Sequence, residues 1–101
     1  MNQMSLSRVV VSRSGDRLVT FEQAARLTQT SITILERFAA LGLIEPVESM
    51  LRLSDLTRVV QIMRLRRDLG LNLVGAAMVL DMATEIAQLR SQLQALRRQR
   101  L

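Results

Sequence analysis

At 101 residues with 49% hydrophobic content, the chain has room for one modest core and reads as neither a disordered tail nor a membrane protein. It contains no cysteine, histidine, lysine, tyrosine or tryptophan, and no gathered carboxylate pair. Disulfides, the usual zinc ligands and thiolate or imidazole catalysis are thereby excluded, and neither an enzyme nor a bound cofactor is expected. The net charge of +5 comes from 14 arginines, yet residues 22–55 hold Arg26, Arg37 and Arg52 against Glu22, Glu36, Glu45, Glu48 and Asp55, a net of −2.

The first seven residues carry neither the charged start nor the apolar run of a secretory signal. The longest uncharged run, Leu69 to Leu80, is too short to cross a bilayer, so the cytoplasm is expected. Residues 1–7 read as frayed. Arg8–Ser12 is a β-branched run, Ser14–Asp16 a turn and Arg17–Thr20 a return strand, which together predict a small hairpin or a single pinning strand.

Thr20, with Gln23 three residues on, has the form of a capping box. The helix it opens, Phe21 to Thr28, is expected to turn Phe21, Ala24, Ala25 and Leu27 toward the core. The turn Gln29-Thr30-Ser31 supplies the next cap, and Ile32, Ile34, Leu35, Phe38 and Leu41 follow at helical spacing. Gly42 supplies a left-handed close. Two short helices joined by three residues make a helix-turn-helix.

Only VESMLRLS separates Pro46 from Asp55. Leu51 and Leu53 alternate with Arg52 there, enough for a strand of two or three residues. Ser54 is the expected cap of a third helix, Asp55 to Leu69, whose apolar rows (Leu56, Val59, Val60, Met63 and Ile62, Leu65, Leu69) predict cover on two sides. Gly70 ends that helix and Asn72 caps the next. From Leu73 to Arg100 one helix is expected, with Val79, Met82, Ile86, Leu89, Leu93 and Leu96 at alternating spacings of three and four. This is a heptad seam, and a homodimer is its expected use, a groove on another protein being the alternative. The predicted organisation is a single domain over 1–101, with the helix-turn-helix and short wing in 17–53 and a helical hairpin and C-terminal helix in 54–101.

Arg64, Arg66 and Arg67 read as a solvated face, and Arg97, Arg98 and Arg100 as cations favoured at a helix C-terminus. The acidic segment is the part shaped like a DNA reader, so specific nucleic-acid binding is not expected of it.

The run LERFAALGLIEP, Leu35 to Pro46, resembles the second helix and exit of the MerR-type winged helix-turn-helix, whose pattern there runs Thr-Leu-Arg-Tyr-Tyr, then Gly-Leu and Pro. Glu36 stands where that family places a phosphate-facing arginine, and the wing is shorter than the family's. The second half is similar to the chaperone-modulator family CbpM: Arg64 to Leu69 as Arg-Leu-Arg-Arg-Asp-Leu, Leu71-Asn72-Leu73 before Gly75-Ala76, then Leu80-Asp81, Glu85-Ile86 and Leu89. The likeness extends over about residues 17–100. It implies a mainly α, MerR-like winged helix-turn-helix with a shortened wing and a long C-terminal dimerisation helix. The implied activity is binding the J domain of the DnaJ-like co-chaperone CbpA and inhibiting its work with DnaK. A small MerR-type transcription regulator is the alternative. Taken with the local charge, Glu36, Glu45 and Glu48 are the candidate acids for a basic J-domain face, and Leu51 and Leu53 the candidate apolar contacts.

Overall fold

The computed structural model describes residues 10–11 and 17–100. The frayed start expected for residues 1–7, Arg8, Ser12 and the turn Ser14–Asp16 lie outside them. Three strands, β1 (Val10–Val11), β2 (Arg17–Thr20) and β3 (Met50–Arg52), form an antiparallel sheet in the order β1-β2-β3. The N-terminal run pairs antiparallel with β2, Val10 opposite Leu18 and Val11 opposite Arg17.

Helix α1 (Phe21–Thr28) starts directly from β2 through the capping box: the Thr20 N–H donates to Gln23 Oε1 at 2.9 Å, and the Gln23 N–H to Thr20 Oγ1 at 3.1 Å. Its buried arc centres on Ala24 and Ala25. Leu27 lies about 60° or more beyond that arc at ~100° per residue, and it is 63% exposed, not a core residue. Helix α2 (Ile32–Ala40) is capped by Ser31, whose Oγ accepts from the Ile34 N–H at 3.2 Å. It buries Leu35 and Phe38. Leu41 falls past the helix end on the solvent side and Ile32 at the border of the buried arc, so neither is core.

Gly42, at φ +75°, lets the chain leave α2. The Leu43 N–H reaches back to the Phe38 carbonyl at 2.9 Å and the Gly42 N–H to Ala39 at 3.0 Å. A Cβ at Gly42 would meet no atom within 4 Å. Gly42→Ala should thus cost only the left-handed backbone penalty, about 1–2 kcal/mol, read as a lower urea midpoint at unchanged slope.

The wing is minimal. Val47 and Met50 exchange backbone hydrogen bonds of 2.8 and 3.0 Å around Glu48 and Ser49, both at positive φ (51° and 65°). A two-residue hairpin turn of this kind normally takes Asn-Gly, so two ordinary residues carry a conformational cost here. Beyond it, Leu51 lies opposite Val19 on one face of the sheet, and both are buried.

Helix α3 (Leu53–Leu69) begins two residues before the expected Asp55. The cap is not the Ser54 hydroxyl. Asp55 Oδ2 accepts from the Arg52 N–H at 3.4 Å and from Arg52 Nε at 3.2 Å, so the carboxylate reaches back over the first turn. Leu56, Val59 and Ile62 form one buried row, whereas Val60 and Leu69 are exposed. Neither expected row is covered throughout: Val60 of the first and Leu69 of the second face solvent, whereas Ile62 of the second is buried and Met63 and Leu65 are half-buried. Asn72 Oδ1 accepts from the Gly75 N–H at 2.7 Å and opens α4 (Leu73–Arg100). The chain divides into two compact units, Met1–Gln61 and Ile62–Leu101, the boundary falling inside α3.

Candidate partner-binding surface

The side chains of α2 divide cleanly around its axis. At ~100° per residue, Ile34, Leu35, Phe38 and Ala39 occupy the arc that is buried or half-buried. Ile32, Thr33, Glu36, Arg37 and Ala40 occupy the exposed arc. This is the face that a helix-turn-helix offers to a major groove. Its one cation and one anion cancel, and Thr33 and Ala40 add no charge. A phosphate backbone finds little there to neutralise.

Two further acids lie after α2. Glu45 is exposed in the loop ahead of Pro46, and Glu48 is exposed at the turn of the wing. Among the described residues, the carboxylates of Glu36, Glu45 and Glu48 form no ion pair. Arg37 is exposed beside Glu36, but two further cations, Arg52 and Arg58, are bonded to the protein itself. Arg52 pairs with Asp55 at 3.2 Å and donates from Nη2 to the Glu45 carbonyl at 3.4 Å. Arg58 Nε donates to the Leu43 carbonyl at 2.7 Å, tying α3 to the exit of α2. A guanidinium held against a backbone carbonyl or a buried carboxylate projects less charge outward, so the acids keep more of their field in solvent.

Of the two leucines expected beside these acids, the structure exposes only one. Leu53 stands at the start of α3 and is partly open to solvent, but Leu51 is fully buried. A lone alternation of Leu51, Arg52 and Leu53 could not say which face was inward; pairing with Val19 decides it. Leu51 is a core residue and leaves the candidate surface. Ile32, at the border of α2, is an exposed apolar side chain.

The second candidate surface is the seam on α4. Met82, Ile86, Leu89, Leu93 and Leu96 are all exposed and Val79 is half-buried. Every residue from 81 to 100 is exposed. Most helical stability in proteins comes from packing of an apolar face, and this stretch gains no burial within the single chain. Glu85 and Arg90 flank the seam, and Arg97, Arg98 and Arg100 lie in its last turn.

Among the described residues, no group of three or more acidic side chains is arranged to hold a metal ion, and no single helix is long and apolar enough to cross a membrane. The family model described as MerR HTH family regulatory protein matches residues 19–98. No solved structure matches the chain.

Proposed function

We propose that this chain, which belongs to the MerR HTH family of regulatory proteins, acts on protein in place of DNA, as a non-enzymatic chaperone modulator. Its partner in this reading is the J domain of a DnaJ-like co-chaperone of the CbpA type, and the outcome is inhibition of that co-chaperone in the cytoplasm. The observation that carries the reading is the solvent face of α2, where Glu36 occupies the place of the family's phosphate-facing arginine and the net charge is zero. Two exposed acids follow, Glu45 and Glu48, and the neighbouring Arg52 and Arg58 are bonded inward. A basic helical surface is the complementary chemistry. The likeness of residues 64–89 to the CbpM pattern supplies the identity of the partner.

Dimerisation belongs to the same reading. A second copy laid along α4 covers the seam from Val79 to Leu96 and stabilises a helix that otherwise has nothing on it. Each dimer then carries two copies of the acidic surface.

Calorimetric titration of the full chain with the isolated J domain tests the function: saturable binding at micromolar concentration is expected, and no measurable binding would sink the reading. The family match itself favours a second reading, a small DNA-binding transcription regulator. A gel-shift selection separates the two. Under the modulator reading, binding to duplex DNA is weak, without sequence preference, carried by the arginines of α4, and lost steeply as salt rises. Recovery of one defined palindrome at physiological salt would favour the regulator.

A further inference from the structure

The seam of α4 contains one side chain that chemistry can switch. We propose that Met82, with Met78 one turn before it, is an oxidation site whose conversion to the sulfoxide releases the paired helices; the inference rests on the pairing of α4 proposed above. The chain has no cysteine, so thioethers are its readily oxidised sulfur. Four methionines fall in the described residues. Met50 and Met63 are half-buried, whereas Met78 and Met82 are each 58% exposed and sit four residues apart on one side of α4. Met82 is itself a seam position, and its seam companions are valine, isoleucine and leucine. Oxidisable sulfur and the proposed dimer contact therefore coincide at one place on α4.

The oxidant is a peroxide. The thioether sulfur attacks the distal peroxide oxygen, the O–O bond breaks and an S–O bond forms. Sulfur gives up two electrons, and the departing oxygen takes a proton to leave as water or alcohol. The product replaces a deformable apolar group with a strongly polar one that demands hydrogen bonds. Leucine and isoleucine across the seam offer none, so re-pairing would bury an unsatisfied acceptor in each copy. In a pair Met82 is covered; in the separated chain it is open. Oxidation therefore captures the separated chain and holds it apart until the sulfoxide is reduced.

Graded hydrogen peroxide applied to the full chain, followed by peptide mass spectrometry and sedimentation, tests the proposal. Met78 and Met82 should gain oxygen before Met50 and Met63. The dimer dissociation constant should rise on the order of a hundredfold, and methionine sulfoxide reductase should reverse the change. Oxidation should also slow as protein concentration rises and the pair protects Met82. Expressed against the same untreated variant, the peroxide effect should vanish in Met82→Leu and persist in Met50→Leu/Met63→Leu. A dimer that persists with Met82 fully oxidised overturns this proposal alone. An untreated protein that sediments as a monomer at tens of micromolar overturns the pairing and this proposal with it.

Discussion

Replacing Leu89 and Leu93 with glutamate should convert a dimeric protein into a monomer that retains its helix-turn-helix. The two leucines lie mid-seam and are 56% and 48% exposed in the single chain, so about half of each remains to be covered by a partner. With about 1.5–3 kcal/mol for burying a whole leucine, each contributes roughly 1 kcal/mol on pairing, and the four in a dimer about 4. That alone weakens association about a thousandfold, before the cost of placing four carboxylates against apolar surface. Equilibrium sedimentation should give a dimer for the natural chain and a monomer for the variant at tens of micromolar. The helical signal should fall as well. Residues 81–100 have no tertiary cover, and a separated helix of this kind frays. Unfolding of the sheet and helices α1 and α2 should still be cooperative, since their core of Leu35, Phe38, Ile44 and Leu51 contains none of the substituted residues. A natural chain that is monomeric at these concentrations would refute the dimer.

Much of this fold is legible in the sequence, where a local signal acts alone. The Thr20–Gln23 capping box, the Ser31 cap, the left-handed Gly42 and the span of α4 from Leu73 to Arg100 each follow from residues within a turn of one another. What is illegible depends on distant neighbours. Leu51 and Leu53 look equivalent beside Arg52, and only the pairing of Leu51 with Val19 makes one core and leaves the other open. Leu27 follows Ala24 at a core-like spacing, yet the arc that α1 buries is narrow enough to exclude it. Ser54 has the residue type of a cap, but α3 starts at Leu53 and Ser54 falls inside its first turn, where Asp55 meets both the backbone N–H and the guanidinium of Arg52. The acids of the candidate surface are readable as residues. Their freedom from ion pairs is not, because it depends on Arg52 and Arg58 being engaged elsewhere.

The same engagement shapes the expected result of reversing Glu36, Glu45 and Glu48 to lysine. None of the three carboxylates is in an ion pair among the described residues, so the reversal removes no bond that the fold relies on. Glu48 has positive φ, and a lysine there meets the same backbone cost as the glutamate it replaces. The variant should accordingly fold and dimerise as the natural chain does. Its local charge changes by six units, and a basic J-domain helix approaching it would be repelled where it had been attracted. Association should slow by about tenfold or more at low salt, with a smaller difference at high salt, since steering by exposed charge is screened. Equilibrium binding should weaken in step. Leu53→Asp should add a separate loss in dissociation rate, because a few desolvated apolar contacts hold such a complex once it has formed. Leu51→Ala cannot serve as that probe. It would open a cavity in the core and cost about 2–5 kcal/mol of stability, so any loss of binding would report unfolding. Stopped-flow and calorimetric titration of the triple reversal against the J domain decide the matter. Unchanged association with an intact dimer would show that the partner docks elsewhere, whereas slowed association that salt restores would assign the contact to the exposed acids of α2, the following loop and the wing.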